Sequence, residues 1–477
     1  MHNPEEIGQA SSAHNRSRAE PSVVSSAWRR GGRVEVARAG ALRCAGIRDH
    51  AQLGALFEIE LGSPDDRPWR HPFGRRGIVL GEVTAFDESG AWLVPYGPVD
   101  GIRPGTRLAP HFGGTSIRID RRWLGRVVGP MAEPLDRHGP LPRGERETRL
   151  QAPAVPAFER ARLGPRFRLG VTALDLFTPC REGQRLGIFA GSGVGKSTLM
   201  SMIAAQSEAD ALVVGLIGER GREVREFLEA TLGESARARS VIVVATSDQP
   251  AMLRRRAAHL AVAVAEALRD EGLHVVCLLD SVTRYAMALR EIGLASGEVP
   301  TSRGYTPNVF SELPRLLERC GPGRGRGQIT GLFTVLVDGD DLDEPVSDAV
   351  RGILDGHIVL DRRIAERGRF PAVDVLRSVS RSTPGCYDPV ERHLVARARQ
   401  LMRAYDDMAE LIRLGAYRQG TDPLIDEAIA RHEALEALLA QAPDERRAAG
   451  ADTAALARAL GADLDSVAAR LGGETPP

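Results

Sequence analysis

At 477 residues, 43% of them hydrophobic, the chain has material for roughly two to four domains with cores of their own. Lys plus Arg and Asp plus Glu each number 63, so there is no global charge of the kind that would argue for nucleic acid or an anionic membrane as the principal partner. The five cysteines, Cys44, Cys180, Cys277, Cys320 and Cys386, are odd in number and scattered, which excludes a disulfide framework or a metal-ligand spacing and fits reduced thiols. Every apolar run is shorter than a membrane span, and the first residues lack the apolar core of a signal peptide, so any membrane association is expected to be peripheral.

In chain order, residues 1–32 are rich in Ser, Arg and Ala, contain Pro21 and lack helical periodicity, which predicts a mobile segment. Over 33–115, short alternating runs such as 34–36, 56–61 and 78–83 are separated by Gly, Asp and Pro turns, the pattern of a small β-barrel. The run Leu124-Gly-Arg-Val-Val-Gly129 opens an α/β domain over 116–385, in which apolar strands alternate with helical segments as in a parallel sheet. Over 386–477 helical periodicity dominates, at 394–414, 425–439 and 453–471.

Within the α/β domain, Ala190, Gly191, Ser192, Gly193, Val194, Gly195, Lys196 and Ser197 form a phosphate-cradling P-loop pattern. An apolar run, 186–189, enters it, and a helix-competent run starting at Thr198 leaves it. The glycines let successive N–H groups turn toward phosphate oxygens; Lys196 would reach the β- and γ-phosphates and Ser197 would ligate Mg2+. Downstream, the run 274–279 ends in Asp280, a carboxylate at the carboxyl end of a buried strand, where it can hold the Mg2+ shell through water. Between them, 211–217 is followed by Gly-Glu-Arg-Gly-Arg-Glu. Glu219 falls just past a strand end, placed either to polarise an attacking water or as part of a solvated charged loop.

Phe370-Pro-Ala-Val-Asp374, followed by Ser378-Val-Ser380-Arg381, resembles the signature of the hexameric ATPases related to the catalytic head of the rotary ATP synthase. The resemblance extends over residues 33–429. Inside it, Gly215-Leu-Ile-Gly-Glu-Arg-Gly-Arg-Glu-Val224, Asp280-Ser-Val-Thr-Arg-Tyr-Ala-Met287, Ile353-Leu-Asp-Gly-His-Ile-Val359 and Gly415-Ala-Tyr-Arg-Gln-Gly-Thr-Asp-Pro423 are similar to flagellar type III protein-export ATPases. The resemblance implies a RecA-like P-loop NTPase core with a parallel sheet, preceded by the β-barrel and followed by the helical domain. It implies hydrolysis of ATP with Mg2+, Glu219 as catalytic glutamate, and Arg381 as an arginine finger inserted into the neighbouring subunit's site. Arg220 falls in the nucleotide-binding motif. Phe370 and Tyr417 match positions that stack on adenine, with core packing as the alternative; Arg284 matches a position that contacts phosphate or the neighbour, with a structural ion pair as the alternative. One chain thus carries Lys196, Glu219, Asp280 and Arg381, so a ring of identical copies completes every site and a monomer completes none.

The implied partners are further copies in a hexameric ring, a regulatory stator protein, a stalk protein, export substrates with their chaperones, and the membrane export gate, with no nucleic acid. The implied location is cytoplasmic, peripheral at the inner membrane. The sister ATPases of virulence-type secretion would share these site residues. A rotary synthase catalytic subunit usually has Thr where Gly221 stands in Gly-Glu-Arg-Gly-Arg-Glu. A ring-shaped RNA helicase would need a stacking platform, and Phe57, Trp69, Phe73, Phe86, Trp92 and Tyr96 lack an alternating basic context. Members of the family use an amphipathic N-terminal helix to bind the stator protein, whereas residues 1–30 show no clear apolar face.

Overall fold

The computed structural model describes residues 31–38, 40–61, 77–337, 341, 343–448 and 450–472. Most of the segment 1–32 expected to be mobile lies outside these residues, as do Trp69 and Phe73. Six strands, β1 (Arg33–Arg38), β2 (Ala41–Ala45), β3 (Leu56–Glu60), β4 (Ile78–Phe86), β5 (Ala91–Pro95) and β6 (Leu108–His111), pair antiparallel in the order β1-β2-β5-β4-β3-β6. The ends of this sheet meet: Val34 N–H donates to Thr106 O at 2.9 Å and Gly105 N–H to Val34 O at 2.8 Å. That closure removes the unpaired edges an open sheet would expose and makes the expected barrel. Its interior is filled by Val34, Leu42, Phe57, Ile59, Val83 and Leu93. Phe57 and Tyr96 are buried, so neither ring is presented for stacking on a base.

The central sheet has eight strands: β7 (Val127–Val128), β8 (Arg185–Ala190), β9 (Ala211–Glu219), β10 (Ser240–Thr246), β11 (His274–Asp280), β12 (Gln328–Leu336), β13 (Gly356–Leu360) and β14 (Val373–Ser380). They lie in the order β14-β13-β8-β12-β11-β9-β10-β7, parallel throughout except β14 against β13. Parallel strands buried on both faces read as continuous apolar runs, and alternate residues serve opposite cores. Ile188, Val214, Ile242, Leu278 and Leu332 face one core with helix α1 (Lys196–Gln206); Val213, Val243, Leu279 and Phe333 face the other with α2 (Ala251–Asp270) and α3 (Val282–Ala295). Because the strands are parallel, their carboxyl ends gather at one edge, which brings the P-loop after β8, Glu219 and Asp280 together. Glu219 is the last residue of β9 and not a loop residue beyond it, since it pairs with Thr246 and its carbonyl accepts Ser247 N–H at 3.0 Å.

The carboxyl part consists of α4 (Pro389–Arg413), α5 (Pro423–Leu439), α6 (Ala451–Ala459) and α7 (Leu464–Gly472). Asp388 caps α4 by accepting Glu391 N–H at 2.8 Å. The periodic stretch 453–471 is two helices: Gly461 (φ 65°) takes the left-handed conformation that ends α6, and Asp463 accepts Ser466 N–H at 3.0 Å at the start of α7. The tail is anchored to the core, because buried Asp452 accepts Thr172 Oγ1 at 2.8 Å and Arg168 Nη2 at 3.1 Å. Among the described residues no helix is long and apolar enough to cross a membrane, and all five cysteines are buried thiols.

Candidate active site

The backbone leaving β8 turns through Gly193 (φ 78°) and Gly195 (φ 91°), left-handed positions where a Cβ costs about 1–2 kcal/mol. Among the described residues nothing lies within 4 Å of the place a Cβ on Gly193 would occupy, so the loop is open on that side. Helix α1 begins at Lys196, and its unpaired first N–H groups and positive end belong to that same site. Ala190 and Val194 are buried and hold the loop to the core; Ser192, Ser197 and Thr198 are exposed on it. Arg362 Nη2 donates to Ser192 O at 2.9 Å, a brace on the loop from the β13–β14 connection that no sequence motif signals.

Lys196 Nζ donates to Asp280 Oδ1 in direct contact, and lies 3.7 Å from Glu219 Oε1. Thr334 on β12 also donates to Asp280 Oδ1, at 2.6 Å. Among the described residues, buried Glu219 Oε1 has no hydrogen-bond partner. Burial pushes the Glu219 carboxyl up to about 7, against the lowering effect of Lys196; Asp280 adds to the rise. The structure therefore brings together Lys196, Glu219 and Asp280 and leaves one carboxylate oxygen unspent.

Arg284, in the first turn of helix α3, packs its stem over Gly218, whose φ of 73° and missing Cβ make the room. A Cβ on Gly218 would stand 2.9 Å from Arg284 Cβ. Among the described residues Arg284 Nε is buried without a hydrogen-bond partner, and Nη1 donates to Met287 Sδ at 3.8 Å. Arg220 instead turns outward and pairs with Glu223 at 2.7 Å. Phe370 is 45% exposed and its ring edge is 3.5 Å from the Cβ position of Gly195, so it is a surface ring beside the P-loop and not a core residue. Tyr417 lies between α4 and α5, where its hydroxyl donates to Asp422 O at 3.1 Å and Asp426 Oδ1 at 3.0 Å; its hydrogen bonds among the described residues do not reach the P-loop. Arg381 is exposed beyond the end of β14, away from this group.

The residues fit Mg2+. Among the described residues no group of three or more His, Cys, Asp and Glu could hold a metal alone, and Mg2+ characteristically takes one or two protein oxygens and completes its shell with water and substrate phosphates. The exposed Ser197 hydroxyl and the Asp280 carboxylate at the loop mouth supply that limited set.

Comparison with known proteins places this geometry in a family. Residues 170–380 match the model of the ATP synthase alpha/beta family, nucleotide-binding domain, and residues 387–458 match the T3SS EscN ATPase C-terminal domain. The chain is 53% identical over 420 residues to the flagellum-specific ATP synthase of Caulobacter vibrioides, covering 87% of this chain and 92% of that one. It is 41% identical over 419 residues to the type 3 secretion system ATPase of Xanthomonas euvesicatoria, covering 87% and 91%. Among solved structures, the assembled ATPase EscN of the enteropathogenic E. coli type III secretion system superposes with a TM-score of 0.83 at 38% identity, over 90% of this chain and 100% of that one. The chain belongs to the flagellum-specific ATP synthases of the ATP synthase alpha/beta family.

Proposed function

We propose that this chain hydrolyses ATP to ADP and phosphate as a ring of identical copies and couples that reaction to export of flagellar proteins through a type III apparatus. The observation that carries the reading is Lys196 standing between Asp280 and Glu219 at the mouth of an open P-loop. Without phosphate, two carboxylates neutralise the lysine. A triphosphate brings its own negative charge and takes over as the lysine's partner, which leaves Glu219 free to accept a hydrogen bond from the attacking water. Ser197 and Asp280 would hold Mg2+, which when bound neutralises charge on the phosphate oxygens. The adenine lies against the exposed Phe370, with Tyr417 serving the same end of the nucleotide, and Arg284, whose buried Nε has no hydrogen-bond partner among the described residues, serves phosphate or the adjoining subunit.

Arg381 completes the site of the next copy, where its fixed planar charge stabilises the transferring phosphoryl. EscN has been solved assembled and in complex with its central stalk EscO, which supports a ring and a stalk partner here. A stator protein, export substrates with their chaperones and the membrane export gate complete the partner set, at the cytoplasmic face of the inner membrane. Identity of 53% to a flagellum-specific relative against 41% to a secretion-system relative favours the flagellar apparatus over the virulence one. The test is a deletion strain complemented with wild type or Lys196→Ala: swimming restored only by wild type supports the reading, and swimming restored by both overturns it.

A further inference from the structure

The P-loop strand β8 and the Asp280 strand β11 are not neighbours; β12 lies between them, parallel to both. Its register sets Thr334 beside Ile188 on one side, and Phe333 beside Leu279 on the other, so Thr334 is the β12 residue level with Asp280. The Thr334 side chain is fully buried, and its hydroxyl donates to Asp280 Oδ1 at 2.6 Å, a short charge-assisted bond. Asp280 Oδ1 thus has two partners, the Lys196 ammonium and the Thr334 hydroxyl.

These partners differ in what happens when nucleotide arrives. Lys196 sits on a flexible stem and is drawn to phosphate. Thr334 sits on the central strand of a packed sheet and stays. A carboxylate that lost its only partner would be free to rotate about its terminal torsion, which is broad and roughly two-fold. A second hydrogen bond from an immobile donor keeps one oxygen committed and the other pointed away from β12.

Resting on the reading of the site as a Mg2+-dependent ATPase, we propose that Thr334 is a positioning residue that holds the Asp280 carboxylate in its metal-competent orientation once Lys196 transfers to phosphate. Hydrogen bonds to a metal-site carboxylate characteristically contribute about 10–100-fold to metal affinity. A second tie keeps the two strand ends in step: Thr283 Oγ1, just after β11, accepts Leu336 N–H at 2.9 Å from the end of β12. The hydroxyl of Thr334 can therefore be removed without freeing the strands from each other.

The test measures binding of a fluorescent ATP analogue to the full-length protein, in EDTA and across a Mg2+ titration, for wild type, Thr334→Val, Thr334→Ser and Asp280→Asn. Thr334→Val keeps volume and branching and deletes only the hydroxyl. Expected for Thr334→Val is unchanged affinity in EDTA with a Mg2+ midpoint raised about tenfold or more, and for Thr334→Ser a midpoint restored to wild type. A wild-type Mg2+ midpoint in Thr334→Val overturns the proposal while leaving the site reading standing, provided that Asp280→Asn shifts the midpoint. Equal losses in the Val and Ser variants overturn it too, since the hydroxyl would then not be the cause. An Asp280→Asn protein with a normal Mg2+ response overturns the site reading itself.

Discussion

Lys196 and Arg381 stand at opposite ends of strand β8. Lys196 follows the P-loop at the carboxyl end, whereas Arg381 N–H donates at 2.9 Å to the carbonyl of Asp355, whose carboxylate accepts Arg185 N–H at 3.0 Å where β8 begins. With a rise of about 3.3 Å per residue, β8 alone spans roughly 16 Å between those ends. An exposed guanidinium that far from its own P-loop serves no phosphate held there. In the proposed head-to-tail ring, the Arg381 edge of one copy would face the P-loop edge of the next.

Lys196→Ala removes the cation at the loop mouth that stands against both Asp280 and Glu219. ATP affinity, measured by equilibrium binding of a fluorescent analogue, is expected to fall beyond detection at millimolar nucleotide. Tight binding by this variant would contradict the phosphate-site assignment.

Glu219→Gln keeps shape and removes the charge. ATP binding is expected to persist while turnover falls by a factor of roughly a hundred or more. Steady-state turnover at the wild-type level would make Glu219 a structural carboxylate only.

Glu219 also sets a pH dependence. Its carboxyl is raised to about 7 by burial, so below that pH the free enzyme holds it protonated and unable to accept a proton from water. The kcat/KM for ATP is expected to climb with pH through an acid limb near 7 and level off above it. Stability of the nucleotide-free protein runs the other way. The folded state binds this proton more tightly than the unfolded chain, so stability is lost as pH rises from about 4.5 to about 7. Glu219→Gln is therefore expected to raise the Tm at pH 8 and not at pH 4.5; a Tm gain equal at both would show that ionisation is not the cause.

Gly218→Ala tests the packing beneath Arg284. The left-handed backbone alone costs about 1–2 kcal/mol with a Cβ, and that Cβ would collide with the Arg284 stem at 2.9 Å. Lower stability in chemical denaturation together with reduced turnover is expected, because Glu219 is the next residue. Wild-type behaviour on both counts would mean that Arg284 and Glu219 are not held through this contact.

Much of this site is legible in the chain because its chemistry is local. The P-loop glycines, Lys196 and an apolar strand ending in Asp280 each declare themselves within a few residues, and the parallel sheet brings them together without further information. Thr334 and Arg362 are different. Thr334 matters because β12 lies between β8 and β11, and Arg362 because the β13–β14 connection returns to Ser192; neither strand order nor loop return leaves a mark in local periodicity. The anchoring of the tail leaves no local mark either, because the partners of Asp452, Thr172 and Arg168, lie about 280 residues away in the chain. Single-residue turns such as Gly461, which splits one periodic stretch into two helices, are also invisible to a count of apolar positions.

Mixing two dead variants tests directly whether each site is shared between two copies. Arg381→Ala and Glu219→Gln rings each lack one part at every site, so each alone should hydrolyse ATP at background rate. In mixed rings, wherever a subunit with intact Glu219 meets a neighbour with intact Arg381, one complete site is rebuilt, and ATPase activity should rise with mixing to a maximum near equal proportions. Activity that stays at background in rings shown by mass to contain both variants would contradict the assignment of Arg381 to its neighbour's site.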